Sequence, residues 1–332
     1  MSENKIIAIV GATGNQGSSV AKAFLSTPGW TVRCLTRKPA SEKAQALLRL
    51  GAHIRQANLD SIDSLAAAFD GVDVIFANTD FWEIWISMVN SGTDQNTASS
   101  TAYTRELTWA KNAAIAASRV PTLKGFVYSA LAPMKDASGG KYTTSLHWES
   151  KADTVKFIEK ELPELWKKTS LIYVGTYSTN PFLIPKKDPE SGEYVMALPT
   201  VKTCRFPIIN TPTSVGPFVR ELVLTEDPGT KLLAYDRDSY LTAAEALQLW
   251  SKITGKPAKY VQLGMKEMAE KTGLPMEMLG DAGFLGEFSF THGVESVITP
   301  DQLKNKVETS TYEDYLKARS LEYLLEGGFS PF

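Results

Sequence analysis

Residues 5–17 have the sequence Lys5-Ile6-Ile7-Ala8-Ile9-Val10-Gly11-Ala12-Thr13-Gly14-Asn15-Gln16-Gly17. An apolar run leads here into glycines at three-residue spacing, and a helical pattern follows over residues 18–25, which predicts a strand, a tight turn and a helix. Gly11 allows an unusual backbone angle, Gly14 lets the backbone approach a pyrophosphate, and Gly17 lets the helix pack on the strand. The N–H groups and positive dipole end of the helix then face the phosphates. In this context the turn predicts dinucleotide binding rather than a plain glycine-rich turn, with contacts from Gly11, Thr13, Gly14, Asn15, Gln16 and Gly17.

The end of the second predicted strand, residues 30–36, indicates which dinucleotide binds. An NAD site usually has a carboxylate about 20 positions beyond the glycines, where it binds the ribose 2′-hydroxyl. Here Arg37 lies 20 positions beyond Gly17, and no carboxylate stands at the strand end. A planar guanidinium suits a 2′-phosphate. We therefore predict NADP(H) as the cofactor, with a solvated basic turn as the alternative, and add Asn58 and Asn78 to the predicted cofactor contacts.

The composition excludes several classes of protein. The 332 residues carry a net charge of −2, which argues against a nucleic-acid partner, and no apolar run approaches the roughly 18 residues that span a bilayer. Because the first predicted strand begins at residue 5, we expect no signal peptide. Cys34 and Cys204 fit a reducing cytosol, so we expect a cytoplasmic protein without a membrane partner. His53, His147 and His292 lack zinc-ligand spacing, so we expect no metal site.

Strand and helix patterns alternate through the first half of the chain. This rhythm predicts an α/β protein with a Rossmann-type, doubly wound parallel sheet. We assign residues 1–180 to an NADP(H)-binding domain that also uses residues 205–230. Residues 181–332 are assigned to a smaller α+β lobe that would bind the substrate and cover the site. We expect residues 78–102 to be irregular and residues 312–325 to form one helix.

Three segments are expected to meet at the nicotinamide end of the cofactor. Asn78-Thr79-Asp80-Phe81-Trp82-Glu83 follows the fourth predicted strand, and Ser129 ends the fifth. His147 and Lys151 lie four residues apart, on one face of the next helix. We predict Lys151, His147 and Ser129 as catalytic residues.

An aromatic segment begins at the end of the fourth strand. Aromatic side chains beside a cofactor suit a bulky, flat, hydrophobic small molecule, although ordinary core packing would give the same pattern. The predicted substrate-binding residues are Asp80, Phe81, Trp82, Trp85, Tyr142 and Tyr177.

These motifs together resemble the NmrA-like family, an atypical branch of the extended short-chain dehydrogenases/reductases. The matching segments are Gly11-x-x-Gly14-x-x-Gly17, Leu35-Thr36-Arg37, Asn78-Thr79-Asp80-Phe81-Trp82-Glu83, Tyr128-Ser129-Ala130 and His147-x-x-x-Lys151. The resemblance continues through residues 211–222, similar to a family helix over the cofactor domain, and covers nearly the whole chain. The Asn-Thr-Asp-Phe-Trp-Glu and His-x-x-x-Lys segments are its most specific parts.

The family resemblance implies a cofactor role for Lys151 but leaves the chemistry open. A short-chain dehydrogenase normally has Tyr-x-x-x-Lys, whose tyrosine gives a proton to the carbonyl oxygen; His147 stands in its place. A nearby ammonium disfavours the imidazolium form and would make His147 a weak proton donor. Reduction of an iminium carbon needs no donor, a neutral histidine could accept a proton, and Tyr142 or Tyr173 could replace the acid. A structural histidine that braces the helix is the alternative.

Two functions follow from the resemblance. The first is an NADPH-dependent reductase or dehydrogenase that transfers hydride to or from a C=N or C=O group of a bulky hydrophobic molecule. Fungal members of the family imply secondary metabolism, including imine or iminium alkaloids and steps coupled to cyclisation or cycloaddition. The second is a non-catalytic NADP(H) sensor that regulates a protein partner. An enzyme should have a deep apolar pocket beside the nicotinamide, and a sensor should lack one.

Overall fold

The computed structural model describes residues 4–327, which alternate strands and helices in the first half and add short strands in the second. The strands are β1 (Lys5–Val10), β2 (Trp30–Thr36), β3 (His53–Gln56), β4 (Val74–Ala77), β5 (Gly125–Ala130), β6 (Thr169–Val174), β7 (Thr176–Tyr177), β8 (Lys186–Lys187), β9 (Tyr194–Leu198), β10 (Arg205–Ile209), β11 (Lys231–Ala234), β12 (Tyr240–Thr242), β13 (Ala258–Gln262) and β14 (Val297–Ile298). The helices are α1 (Asn15–Leu25), α2 (Glu42–Arg49), α3 (Ile62–Ala68), α4 (Phe81–Asn90), α5 (Gln95–Ser118), α6 (Met134–Ala137), α7 (Leu146–Glu161), α8 (Pro163–Trp166), α9 (Thr211–Leu224), α10 (Ala243–Thr254), α11 (Met265–Thr272), α12 (Met276–Leu285), α13 (Tyr312–Lys317) and α14 (Leu321–Leu325).

The main sheet has eight strands in the order β14-β11-β6-β5-β4-β1-β2-β3. All its neighbours run parallel; Ile9 of β1, for example, pairs with Cys34 of β2 on one side and Phe76 of β4 on the other. The chain winds outward from β1 through β2 and β3, then returns to β4 and winds the other way. The predicted Rossmann-type doubly wound sheet is therefore confirmed, and its switch point lies at the carboxyl ends of β1 and β4, where such folds bind ligands.

Helices cover both faces of this sheet because successive side chains of β1 point to opposite sides. Ile7 and Ile9 pack with α1, α2 and α9, whereas Ala8 and Val10 pack with α3, α5 and α7. On the first face α9 lies directly against α1: the Gly216 N–H donates to Ser19 Oγ at 2.9 Å. A Cβ at Gly216 would lie 2.1 Å from the Ser19 carbonyl oxygen.

The prediction that residues 78–102 are irregular is wrong. The segment contains α4 and the first two turns of α5, and each helix has an aspartate cap: Asp80 accepts the N–H groups of Trp82 and Glu83, and Asp94 accepts that of Thr97. In α4 the buried residues Phe81, Ile84 and Trp85 have helical spacing, whereas the small, polar start of α5 lacks such an apolar stripe. The two segments pack on each other through Phe81, Trp85, Ala98 and Ala102. The apolar pattern of α4 was therefore a usable helix signal, and tertiary packing explains the helical start of α5, where the pattern is weak.

The second half of the chain forms two smaller, three-stranded sheets, β12-β10-β7 and β13-β9-β8, and also completes the main sheet with β11 and β14. The domain division at residue 180 remains a prediction. The single helix predicted for residues 312–325 is wrong, because the chain forms α13 and α14, and Ser320 caps the second of them through the Tyr323 N–H. No helix within residues 4–327 is long and apolar enough to cross a membrane.

Candidate functional site

The glycine turn, residues 11–17, has the backbone that its sequence predicts. Gly11 has a φ of +73°, and its carbonyl oxygen accepts the Gly14 N–H at 3.0 Å. Gly14 is the N-cap of α1 and gives it no side-chain cap, so the first-turn N–H groups remain available to an anion. A Cβ at Gly17 would lie 2.3 Å from the Gly11 carbonyl oxygen, so only glycine fits there. Thr13 and Asn15 lie within the same turn.

Gln16 connects this turn to the second half of the chain. Its Nε2 donates to the Tyr177 hydroxyl at 2.7 Å. Its Oε1 is buried without a hydrogen-bond partner within residues 4–327, so it can accept a donor from a ligand. Burial raises the pKa of Tyr177 to about 12, which keeps this hydroxyl protonated at neutral pH. The structure therefore places the predicted substrate residue Tyr177 beside a predicted cofactor residue.

Arg37 follows β2, as predicted, but a residue that the sequence analysis missed holds its guanidinium. Nη2 lies 2.5 and 2.7 Å from the two carboxylate oxygens of Glu83, in the first turn of α4. The guanidinium also lies 5.5 Å from the centre of the Trp109 ring. Asp60 accepts a hydrogen bond from Trp109 Nε1 at 2.7 Å. Asn58 is linked to this ring through Asp60, because the Asn58 Oδ1 accepts the Asp60 backbone N–H.

Lys151 lies on α7 with its ammonium among three oxygens. Nζ is 3.2 Å from Asn78 Oδ1, 3.2 Å from the Thr79 carbonyl oxygen and 3.3 Å from Glu106 Oε1. Asn78 also abuts the glycine turn, since a Cβ at Gly11 would lie 2.6 Å from its carbonyl oxygen. Lys151 and the turn are thus joined through one residue at the switch point.

Glu106 is the second residue that sequence analysis missed. It lies on α5, is fully buried, and accepts from Thr79 Oγ1 at 2.9 Å and from the Ser150 hydroxyl. A buried carboxylate at this place supplies the counter-charge that a nearly buried ammonium needs. Its contact with Lys151 joins two helices and could not be read from local spacing, although a glutamate within an alanine-rich helix was a usable signal.

His147 lies at the first turn of α7, where α12 approaches. Glu277 Oε1 accepts both the His147 backbone N–H and its Nδ1 at 2.8 Å, and Asp281 Oδ2 lies 3.9 Å from Nε2. The charged groups beside the ring nitrogens are therefore carboxylates, which favour the imidazolium, whereas the sequence analysis expected a nearby ammonium that disfavours it. Because Nδ1 donates to Glu277, Nε2 is the ring nitrogen left for a ligand. Burial raises the pKa of Asp281 to about 6, and the charge of His147 opposes this shift.

The aromatic residues of α4 divide into two groups. Trp82 is partly exposed, and its ring centre lies 5.0 Å from that of His147. Phe81 also contacts His147, at 5.8 Å between ring centres, but is itself buried. Trp85 belongs to the interior between α4 and α5, where its Nε1 donates to Ser99 at 3.0 Å. Of these three, Trp82 combines exposure with contact to His147; the substrate role of all three stays a prediction.

The other predicted residues lie in separate surroundings. The Tyr142 hydroxyl donates to Glu287 at 2.7 Å, and burial together with Glu287 raises its pKa to about 12, so it is a poor acid at neutral pH. Ser129 is buried at the end of β5, and its hydroxyl forms no hydrogen bond to His147 or Lys151 within the described chain. Asp80 serves as the cap of α4. Their predicted roles stay predictions.

Two surface cavities lie elsewhere. One of about 490 Å³ lies along residues 48–55, and one of about 360 Å³ lies between the start of α9 and residues 308–314. Neither is lined by His147 or Trp82.

The switch-point turn, the uncapped α1 and the lysine beside them define a Rossmann-type protein with a candidate dinucleotide site. The chain belongs to the NmrA-like family, whose profile matches residues 3–316. It is 27% identical over 282 residues to the NmrA-like family domain-containing oxidoreductase hkm9 of Aspergillus hancockii, which covers 82% of this chain and 79% of that protein.

Solved structures confirm the fold. NmrA, a negative transcriptional regulator solved in complex with NADP, matches with a TM-score of 0.65 and 19% identity over 98% of this chain and 95% of its own. The NADPH-dependent quinone oxidoreductase QOR2 of Escherichia coli, solved with NADPH, matches with a TM-score of 0.66 and 21% identity over 93% and 98%.

Proposed function

We propose that this chain binds NADP(H) and transfers hydride to or from a C=N or C=O group of a bulky hydrophobic small molecule. The observation that carries the proposal is that Asn78 contacts both the glycine turn and the Lys151 ammonium at the switch point of the sheet. This arrangement gives one site both a phosphate-binding helix end and a buried ammonium. The relative hkm9, named an oxidoreductase, supports a redox role. The substrate that we propose is a secondary metabolite such as an alkaloid.

The residues at the turn fit a dinucleotide. Gly11 and Gly17 lie so close to neighbouring backbone that a Cβ at either would clash, which keeps the turn tight, and the buried Gln16 Oε1 has no hydrogen-bond partner among the described residues. Arg37 would bind a 2′-phosphate, and Lys151 would bind the nicotinamide ribose. NADP(H), when bound, supplies or accepts the hydride.

The residues around His147 would bind the substrate and supply any proton that the reaction needs. Trp82 offers an aromatic face to the substrate, and the interior packing of α4 fixes its position. For a carbonyl substrate, His147 Nε2 gives the proton that the oxygen takes up as its carbon receives hydride. For an iminium substrate no proton is needed, and the carboxylates of Glu277 and Asp281 favour the positive charge.

A non-catalytic NADP(H) sensor is the second candidate. It is supported by the absence of a tyrosine at position 147 and by the attachment of Tyr142 to Glu287, which leave the site without the usual acid. It is also supported by the fold shared with NmrA, a negative transcriptional regulator. Such a protein would bind the cofactor and a protein partner and release no reduced product.

The test uses NADPH deuterated at the transferable position of its nicotinamide. The purified protein is incubated with this cofactor and a library of bulky ketones, imines and iminium compounds, and products are analysed for deuterium by mass spectrometry. We expect a labelled product with the natural protein and none with Lys151→Met. Tight NADPH binding without label in any product would overturn the enzyme and favour the sensor.

His147→Ala separates the two substrate classes. If His147 Nε2 supplies a proton, the variant should lose activity on ketones and keep most of its activity on iminium compounds. Equal retention of both activities would remove His147 from the chemistry and leave it a structural link to α12.

A further inference from the structure

The carboxylate of Glu83 contacts one nitrogen of the guanidinium that, under the proposed function, binds a phosphate. Arg37 follows β2 and Glu83 lies in the first turn of α4, after β4, so the two residues flank the glycine turn from either side of β1. A single nitrogen, Nη2, contacts both oxygens of Glu83. Arginine binds carboxylates and phosphates with the same planar donors, so the two anions compete for one group.

The pair is open to exchange. The Arg37 side chain is 45% exposed and that of Glu83 is 55% exposed, so water and ligands reach both. Ion pairs with this exposure are weak and are screened by salt. We expect the contact of Arg37 with the Trp109 ring to remain when Glu83 leaves, since the ring keeps its hydrogen bond from Nε1 to Asp60. The guanidinium is therefore held in place for a replacement anion.

Release of Glu83 requires only a side-chain rotation. Its backbone N–H donates to Asp80 Oδ1 at 3.2 Å, as does that of Trp82 at 3.0 Å, so the cap holds the first turn of α4. The helix and the Trp82 contact with His147 can therefore persist while the carboxylate moves. A substitution that removes only the charge of Glu83 should leave the fold intact.

We propose that Glu83 is a specificity-determining residue that competes with the 2′-phosphate of the dinucleotide for Arg37. This inference rests on the proposed function. When Glu83 is paired with Arg37, the 2′-phosphate of NADP(H) must either displace the Glu83 carboxylate or lie close to its negative charge. NAD(H) has no 2′-phosphate and does not meet this cost. Glu83 thus narrows the preference for NADP(H) over NAD(H) that Arg37 creates.

The experiment measures dissociation constants for NADPH and NADH, from nicotinamide fluorescence, with the natural protein and Glu83→Gln. We expect Glu83→Gln to bind NADPH about three- to tenfold more tightly and to change NADH binding less than about twofold. The gain should shrink when salt is raised, because the competing pair is exposed.

Glu164→Gln is the matched control. It makes the same change of charge at an exposed glutamate on α8 whose partner is Lys167, at 2.6 Å. This control should leave both affinities unchanged. An equal gain for NADPH and NADH in Glu83→Gln, or no gain for NADPH, would overturn the proposed competition.

Arg37→Gln distinguishes failure of this inference from failure of the proposed function. If Arg37→Gln weakens NADPH binding selectively while Glu83→Gln does not strengthen it, the cofactor assignment stands and the competition is wrong. If the natural protein binds neither dinucleotide, or Arg37→Gln leaves NADPH binding unchanged, the cofactor site itself is misassigned and the inference falls with it.

Discussion

The glycine turn and the surroundings of His147 lie in the same candidate site but are built in different ways. The turn consists of consecutive residues whose backbone makes the binding surface, through the φ of Gly11 and the free N–H groups of α1. The histidine acquires its partners from far away, since Glu277 lies 130 positions later in the chain. A substitution in the turn therefore changes the backbone conformation directly, whereas a substitution near His147 changes the charges and hydrogen bonds around its ring.

The largest effect is expected in the turn. Gly17→Ala places a Cβ 2.3 Å from the Gly11 carbonyl oxygen, so the turn must open or α1 must shift. We expect the free energy of unfolding to fall by at least about 3 kcal/mol, as for severe overpacking, and NADPH binding to be lost. Urea denaturation and NADPH fluorescence measure the two effects.

Gly264→Ala is the control for this prediction. Gly264 is the N-cap of α11, and a Cβ there meets no atom within 4 Å, so the loss should stay below about 1 kcal/mol. Similar stability in both alanine variants would show that the turn is not as tightly packed as its geometry implies.

A somewhat smaller effect is expected for Glu106→Gln, which removes the counter-charge of Lys151. The Lys151 side chain is 11% exposed and that of Glu106 is fully buried, so an unpaired ammonium would remain in the interior. We expect a loss of about 2–3 kcal/mol in the free energy of unfolding. We also expect weaker NADPH binding, because the ammonium is no longer held beside Asn78.

The double variant Glu106→Gln/Lys151→Met tests whether the two losses share this cause. Removing both charges should restore part of the stability, so the double variant should lose at least about 1 kcal/mol less than the sum of the single losses. Additive losses would mean that Glu106 stabilises the fold through Thr79 and Ser150 instead.

The two regions also differ in how far the sequence predicted them. The turn, the doubly wound sheet and the place of Lys151 followed from local spacing, because strand ends and glycine conformations depend on neighbouring residues. Glu106 and Glu83 were missed as partners because their contacts, with Lys151 on α7 and with Arg37 after β2, join residues that lie far apart in the sequence. The carboxylates around His147 required the packing of α12 on α7, which no spacing reveals.

A moderate effect of opposite sign is expected for Asp281→Asn. Burial raises the pKa of the Asp281 carboxyl to about 6, against about 4 in the unfolded chain. The folded state therefore binds more protons between these values, and stability falls as the pH rises through that window. Because asparagine does not ionise, the variant should be about 1–2 kcal/mol more stable at pH 7, allowing for the 26% exposure of this side chain.

Asp236→Asn provides the comparison outside the site. Burial also raises the pKa of Asp236 to about 6, but its Oδ2 accepts the Asn210 N–H at 2.8 Å at the start of α9. Thermal unfolding from pH 4 to 8 should show the same change of slope in both variants. The pH profile of turnover should change only for Asp281→Asn; a change in both, or in neither, would mean that Asp281 does not act on His147.

The smallest effect separates two roles of Asp80, which the sequence assigns to the substrate and the structure assigns to the cap of α4. Asp80→Ala leaves the N–H groups of Trp82 and Glu83 without their acceptor and should cost about 1 kcal/mol, whereas asparagine caps nearly as well as aspartate. If Asp80 only caps the helix, Asp80→Asn should keep both stability and turnover, measured by urea denaturation and by the rate of NADPH oxidation. If turnover falls in Asp80→Asn while stability does not, the Asp80 carboxylate acts on the substrate. The site around His147 would then include a charged residue that the sequence alone identified, from its position after β4.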